Sequence, residues 1–313
     1  MILLFLFFWL VSAIMIALEK KIVRLIIHLG IFSLTSSVCF LLLAAPDVAM
    51  AEAVTSIIST IIFIVCFEKY FSIAYTSGPE VKPTGIKGFI ENPNPLLPIG
   101  FTILLAVLFI AFIPDVTQST YLKEQYLTYF SYDVGGENSV TAIYLGYRVY
   151  DTLFEALLLL VGIVAVMHLS FYEGNLATKE KLVSRDINSS TIAITTVRSI
   201  CPVILMFSVY LVINGHITAG GGFQGGLLAA AFFICRYIIF DIYDINIDRV
   251  VTIEKLTFVL ATLAAAYFIF FGARYYLPIP QGVYLIMMNT LIGLKVASGF
   301  LILFYRFIVY ERR

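Results

Sequence analysis

Asn214-Gly215-His216-Ile217-Thr218-Ala219-Gly220-Gly221-Gly222-Phe223-Gln224-Gly225-Gly226 lies between two apolar runs, each long enough to cross a bilayer. Five of the seven residues from Gly220 to Gly226 are glycine. Each glycine costs a helix about 1 kcal/mol against alanine, so the composition predicts a helix break here. Irregular backbone at membrane depth persists only where protein buries it or where it lines a wet cavity. Discontinuous segments of this kind mark ion sites in transporters. The expectation is a chain that shapes an ion path rather than one that only anchors other proteins.

The surrounding sequence sets this segment in lipid. The chain has 313 residues, 61% of them hydrophobic and 13% charged, with a mean hydropathy of +0.98. Soluble domains carry about 25% charged residues. The formal net charge is zero, so no basic surface points to nucleic acid. Cys39, Cys66, Cys201 and Cys235 stand singly in apolar runs, without a Cys/His cluster. That pattern fits small buried hydrophobes rather than an iron–sulfur or zinc site, and no cofactor is expected. The run from Met1 to Leu18 lacks a basic start and a small-residue cleavage site, so it reads as a retained span rather than a signal peptide.

A spanning helix needs about 20 mostly apolar residues. Nine segments qualify: 1–18, 21–45, 47–69, 96–113, 151–171, 197–214, 224–242, 256–273 and 283–309. The fold class expected is therefore an all-α, polytopic membrane protein. Two polar stretches divide it. Residues 76–95 are rich in Pro and Gly, and residues 172–196 are charged and then rich in Ser and Thr. The organisation expected is a three-helix block (1–75), a cytoplasmic linker (76–95), a two-helix block (96–171), a second cytoplasmic linker (172–196) and a four-helix block (197–313).

Basic residues orient the spans. With the N-terminus outside, sixteen Lys and Arg fall on the cytoplasmic side, and only Lys123, Arg148 and Arg274 fall outside. This bias predicts nine spans with the C-terminus inside. The loop 114–150, with its Tyr-rich YLKEQYLTYFSY, then lies outside, its tyrosines at headgroup level. Residues 243–255 are too polar to span and are expected to form a cytoplasmic connection.

Ionisable groups inside spans are costly and mark function or a specific partner. Asp47 follows Pro46 at a helix start, where the dipole favours an anion, so capping suits it. Glu52 lies more than a turn deeper, beyond capping reach. It fits a proton- or cation-handling role, or a structural bond to a neighbouring subunit. Arg148, Asp151 and Glu155 fall at i, i+3 and i+7, one helix face. That face reads either as a negative patch that attracts Na⁺ or carries a proton, or as a salt-bridge cluster that fixes packing. His216, beside the break, suits a proton relay or a structural hydrogen bond. Lys295 lies half-way along the last span, too deep to snorkel. It should face protein and pair with an acid or polar group. Gly293, Ala297, Ser298 and Gly299 around it permit tight helix packing. His28 and His168 read as structural.

At these residues the chain resembles Mrp-type multisubunit Na⁺/H⁺ antiporters. NGHITAGGGFQGG resembles the NGHxxPGGGFxGG signature of the B subunit (the MnhB domain), and LIGLKV resembles that subunit's last span. AAPDVAMAEA resembles the APDVAxTEA pattern in the C-terminal part of the A subunit, and SVTAIYLGYRVYDTLFE resembles its NVVTAILVDYRxxDTLGE pattern. Ala219 stands where the family usually has Pro, Met50 where Thr is common, and Phe154 where Gly is common.

The resemblance covers most of the chain and implies a fusion of the A-subunit tail with the B subunit. By position, Glu52 and Glu155 match acids implicated in ion transport, Arg148 and Asp151 match the RxxDT segment, and His216 matches the B signature. So do Gly215, Gly220, Gly221, Gly222, Phe223, Gly225 and Gly226. The resemblance implies a multi-pass, non-catalytic transport subunit of a prokaryotic cell membrane, with Na⁺ bound transiently near Glu52 or Glu155. The long antiporter-like domain that precedes the A-subunit tail in Mrp antiporters is not in this sequence. That arrangement resembles membrane-bound hydrogenases and related ferredoxin-linked complexes. The implied partners are antiporter-like membrane subunits and a redox arm carried by other subunits. A stand-alone Mrp antiporter, or a purely structural scaffold, is the alternative.

Overall fold

The computed structural model of the protein describes residues 2–19, 21–76, 96–111, 121–169, 191–240, 246–271 and 281–308. Their regular structure is entirely helical, as lipid requires of a chain that must satisfy its own backbone. In chain order the helices are α1 (Ile2–Leu18), α2 (Ile22–Leu42), α3 (Pro46–Thr76), α4 (Leu96–Ala111), α5 (Tyr121–Asp133), α6 (Ser139–Ala142), α7 (Val149–Leu169), α8 (Thr191–Asn214), α9 (Gly222–Phe240), α10 (Ile247–Phe271) and α11 (Gln281–Ile308). A π-helical turn, Ile143–Tyr147, joins α6 to α7. Each of the nine apolar segments holds a helix. Six of these, α2, α3, α7, α8, α10 and α11, contain stretches long and apolar enough to cross a membrane by length and composition.

Three expectations need correction. Residues 247–255 are not a connection but the first turns of α10. Asp248, Arg249 and Lys255 stand apart from the buried face, which runs through Ile247, Glu254, Thr257, Ala261 and Ala265 at helical spacing. The segment 191–196, placed in a linker, belongs to α8. Gly222, Phe223, Gly225 and Gly226 lie inside α9, so the break is confined to residues 215–221. The rest of the linker 172–196 and, apart from Thr76, the linker 76–95 lie outside the described residues.

The helices that follow the second linker pack as α8 on α9, α9 on α11 and α10 on α11. From the earlier part of the chain, α3 packs against α9 and α11, and α7 packs against α10 and α11. One apolar core therefore crosses both parts, drawing Val54 and Ile58 from α3, Leu145 and Val149 from around the π turn, and Leu227, Ala230, Leu285, Met288 and Val296 from α9 and α11. Glycine sets how near α9 and α11 approach. A side-chain carbon on Gly226 would lie 2.9 Å from Val296 Cβ and 3.0 Å from Gly293 Cα. One on Gly222 would lie 3.0 Å from the carbonyl carbon of Asn289. The two backbones touch there, as helices do in lipid where small residues repeat every fourth position. On the other flank α1 packs on α2, and α2 on α3.

Candidate functional site at the glycine elbow

Residues 215–221 form an elbow between α8 and α9, which run antiparallel. Ser208 donates to the Gly225 carbonyl at 2.8 Å, and at the tip a side-chain carbon on Gly215 would lie 2.7 Å from Gly221 Cα. Gly220 holds a φ of +138°, a conformation that side chains resist. The elbow's own bonds are few: the N–H groups of Ile217 and Thr218 reach the Asn214 carbonyl, each at 2.9 Å. Further polar groups of the elbow bond to residues 137–141, at the start of α6. The N–H groups of Glu137 and Asn138 donate to the His216 carbonyl at 2.8 and 3.0 Å. Gly136 has φ +84°, and a Cβ on it would lie 2.8 Å from that same carbonyl oxygen. Thr141 Oγ1 donates to the Gly215 carbonyl at 2.6 Å.

Asn138 is the centre of this clamp. Its Oδ1 caps α6 by accepting from the Val140 N–H at 2.9 Å. Its Nδ2 donates to Asp47 Oδ1 at 3.0 Å and to the Thr218 carbonyl at 3.0 Å. The same Asp47 oxygen accepts the Gly220 N–H at 3.2 Å. Asp47 reaches this place because α2 ends in a left-handed turn at Ala44 (φ 57°), after which Pro46 starts α3. It therefore does more than complement its own helix dipole. It ties α3 to the elbow.

The π turn supplies the next layer. Its widened register leaves carbonyls without an i+4 partner, and side chains fill in. Thr152 Oγ1 donates to the Tyr144 carbonyl at 2.5 Å, and Tyr284 donates to the Leu145 carbonyl at 3.0 Å. Tyr144 is thereby aimed at the elbow. Its hydroxyl lies 3.4 Å from Thr141 Oγ1 and donates to Asn289 Oδ1 at 3.2 Å. Asn289 Oδ1 also accepts the N–H of Gly222, the first residue of α9, at 3.0 Å. A string of polar contacts thus runs from Asp47 through Asn138, the Gly215 carbonyl, Thr141 and Tyr144 to Asn289.

The ionisable residues singled out from the sequence do not gather at one point. Glu52 is half-buried and accepts a hydrogen bond from Ser33 of α2. Arg148 is not part of the helix face assigned to it. It sits between the π turn and α7 with φ −118° and ψ 34°, and it pairs with Asp151 at 2.5 Å, both side chains more than half exposed on this chain. Glu155 also faces outward from the chain. His216 contributes its backbone carbonyl to the clamp, while its ring Nδ1 lies 3.0 Å from the Ile213 carbonyl. Lys295 is fully buried and pairs with Glu254 of α10, itself 1% exposed. The ammonium lies 4.9 Å from the centroid of the Phe258 ring. The acid partner expected for Lys295 exists. Sequence reading missed which residue it is, because Glu254 falls in the stretch read as a connection. His28, read as structural, lies 3.8 Å from Glu19.

Asn138, Thr141, Tyr144 and Asn289 were also missed. They are uncharged, and their long-range partners lie 67 to 145 residues away. A 410 Å³ groove between α1 and α2 is lined by Phe5, Phe8, Ser12, His28 and Thr35 among others. None of the acids lines it.

Residues 192–302 match the family described as a domain related to the MnhB subunit of Na⁺/H⁺ antiporters. Residues 7–71 match the MbhD family, described as a subunit of MBH. These two matches support an Mrp-type module in which an A-subunit tail is joined to a B part. The chain is 30% identical over 157 residues to the protein named antiporter subunit mnhA2 of Staphylococcus haemolyticus, covering 49% of this chain and 18% of that protein. It is 26% identical over 176 residues to the mnhA2 of Staphylococcus aureus strain JH9, covering 53% and 20%. It thus spans about a fifth of the length of these relatives. Its fold is similar to a chain in the structure of the Mrp complex from Dietzia sp. DQ12-45-1b. The TM-score is 0.74 at 17% identity, over 99% of this chain and 35% of that one. It is also similar to a chain of the membrane-bound sulfane sulfur reductase (MBS), an archaeal respiratory membrane complex. There the TM-score is 0.56 at 24% identity, over 71% of this chain and 100% of that one. The chain is a multi-pass protein of a prokaryotic cell membrane.

Proposed function

We propose that this chain is a non-catalytic membrane subunit of a cation/proton antiport module, in which Glu52 and Glu155 handle the ion. The observation that carries the reading is the state of these two acids. Among the described residues, Glu52 has a hydroxyl for a partner and neither acid has a basic one. An intramembrane carboxylate left without a fixed cation is available to a mobile one. Na⁺ or H⁺ then passes near Glu52 or Glu155, in the outer half of a membrane crossed with the N-terminus outside. The other charged groups hold the fold: Asp47 and the His216 backbone fix the elbow, Arg148 neutralises Asp151, and Lys295 neutralises Glu254. Antiporter-like membrane subunits are the partners. The complex is ferredoxin-linked and hydrogenase-like, with its redox chemistry in other subunits. The likeness to a respiratory complex supports this last point over a stand-alone antiporter.

The test is Na⁺/H⁺ exchange in vesicles carrying the whole complex. Glu52→Gln and Glu155→Gln should each abolish exchange while the subunits still co-purify. Wild-type exchange in both variants would overturn the ion-path reading and favour a scaffold. The co-purifying subunits, with or without a redox arm, separate the respiratory complex from the stand-alone antiporter.

A further inference from the structure

The α9 end of the elbow holds a polar group that the hydrogen-bonded string does not use. Asn289 is fully buried. Its Oδ1 is occupied twice, by the Gly222 N–H and by the Tyr144 hydroxyl. Those two donors fix the orientation of the amide, because the Gly222 N–H needs an acceptor. The Nδ2 group is then turned away from both, and it has no hydrogen-bond partner among the described residues. A buried donor left unmade costs about 1–3 kcal/mol, and native proteins retain such a group when a ligand or an ordered water completes it.

The surroundings select the ligand. Polar oxygens converge on Gly221, where the chain has no side chain. The point that a Cβ would take lies 3.3 Å from Gln224 Oε1 and 3.4 Å from Asn289 Oδ1, with the Tyr144 hydroxyl closer still. The Gln224 amide makes no hydrogen bond among the described residues. The group required must accept from an amide N–H and donate to a carbonyl oxygen. It must be small, since Gly221 and Gly222 pack against neighbouring atoms on their other sides. A metal cation fails the first requirement and a simple anion fails the second. Water meets both, and two to four polar partners are what a buried water needs.

We propose that the elbow binds an ordered water that accepts from Asn289 Nδ2 and donates to Gln224 Oε1, next to the Tyr144 hydroxyl. It extends the string that begins at Asp47 past Asn289 to a second free amide. This goes beyond the reading of Glu52 and Glu155 as the ion-handling acids, and its test is separate from the ion assays.

A high-resolution cryo-EM map of the whole complex in lipid is expected to show a peak within hydrogen-bond distance of both Asn289 Nδ2 and Gln224 Oε1. Infrared difference spectra in H₂¹⁸O against H₂¹⁶O are expected to show a strongly bonded water O–H band. That band should be lost in Asn289→Asp, which keeps the acceptor for Gly222 but removes the donor. A map in which Nδ2 donates directly to a protein carbonyl, or in which apolar side chains close the space, overturns the proposal. So does an isotope-sensitive band unchanged in Asn289→Asp. Loss or survival of exchange in the Glu52 and Glu155 variants affects neither readout, so the two readings fail separately.

Discussion

Asp47, in the first turn of α3, accepts a hydrogen bond at 3.2 Å from the backbone N–H of Gly220, 173 residues further along the chain. This contact joins the stretch matched by the MbhD family to the stretch matched by the MnhB-related family through a carboxylate and a main-chain amide. Asn138 shares the same oxygen.

Asp47 is accordingly a tie that any good acceptor can replace. Asp47→Ala strands the Gly220 N–H, while Asn138 keeps the Thr218 and Gly215 carbonyls, and should destabilise the assembled protein by about 1–3 kcal/mol for the donor left unmade. Asp47→Asn, which keeps one carbonyl oxygen, should retain most of the stability. Thermal unfolding of the purified complex, with co-purification as the second readout, distinguishes them. Equal loss in both variants would show that the charge, not the acceptor, matters.

The Glu254–Lys295 pair is buried on both sides. Removing one member leaves a lone charge in the core, so Glu254→Leu or Lys295→Met alone should cost about 3–5 kcal/mol. The double variant should recover most of that loss, because two apolar side chains of similar size pack where the ions were. A double-mutant cycle on thermal stability reads the coupling. If the double variant unfolds as readily as the worse single one, the pair does more than neutralise itself.

Glycines differ sharply in what surrounds them. Gly226→Val should separate α9 from α11 and prevent assembly, since even a single carbon would lie within 3.0 Å of Val296 and Gly293. In α7, a carbon on Gly162 meets nothing within 4 Å. Gly162→Ala should therefore be tolerated and gain up to about 1 kcal/mol of helix propensity. Yield of folded complex and melting temperature test both.

Arg148 and Asp151 are exposed on this chain. If solvent covers them, Arg148→Gln should change stability by no more than about 1 kcal/mol. A larger loss accompanied by dissociation of a partner subunit would place the pair in an interface.

Much of the architecture was legible because lipid imposes a simple code, in which about 20 apolar residues make a span. The demand that Lys295 find an acid was legible for the same reason. Its partner was not, because the charges of YDINIDRVVTIEK hide the apolar stripe of a helix whose first turns are polar. The glycine signature was read as one feature and proves to be two. Residues 215–221 turn the chain, whereas Gly222 and Gly226 seat α9 against α11. Spacing alone does not separate these uses, because both need a residue without a side chain. Asn138 and Asn289 gave no local signal at all. Their importance arises only when segments remote in the chain meet.

The clamp on the elbow grips main-chain oxygens of residues 215, 216 and 218, and ignores what projects from them. Its hold is therefore blind to the side chains at 216 and 218, and substitution there can drift without loosening it, whereas the backbone of Gly221 keeps 215 a glycine.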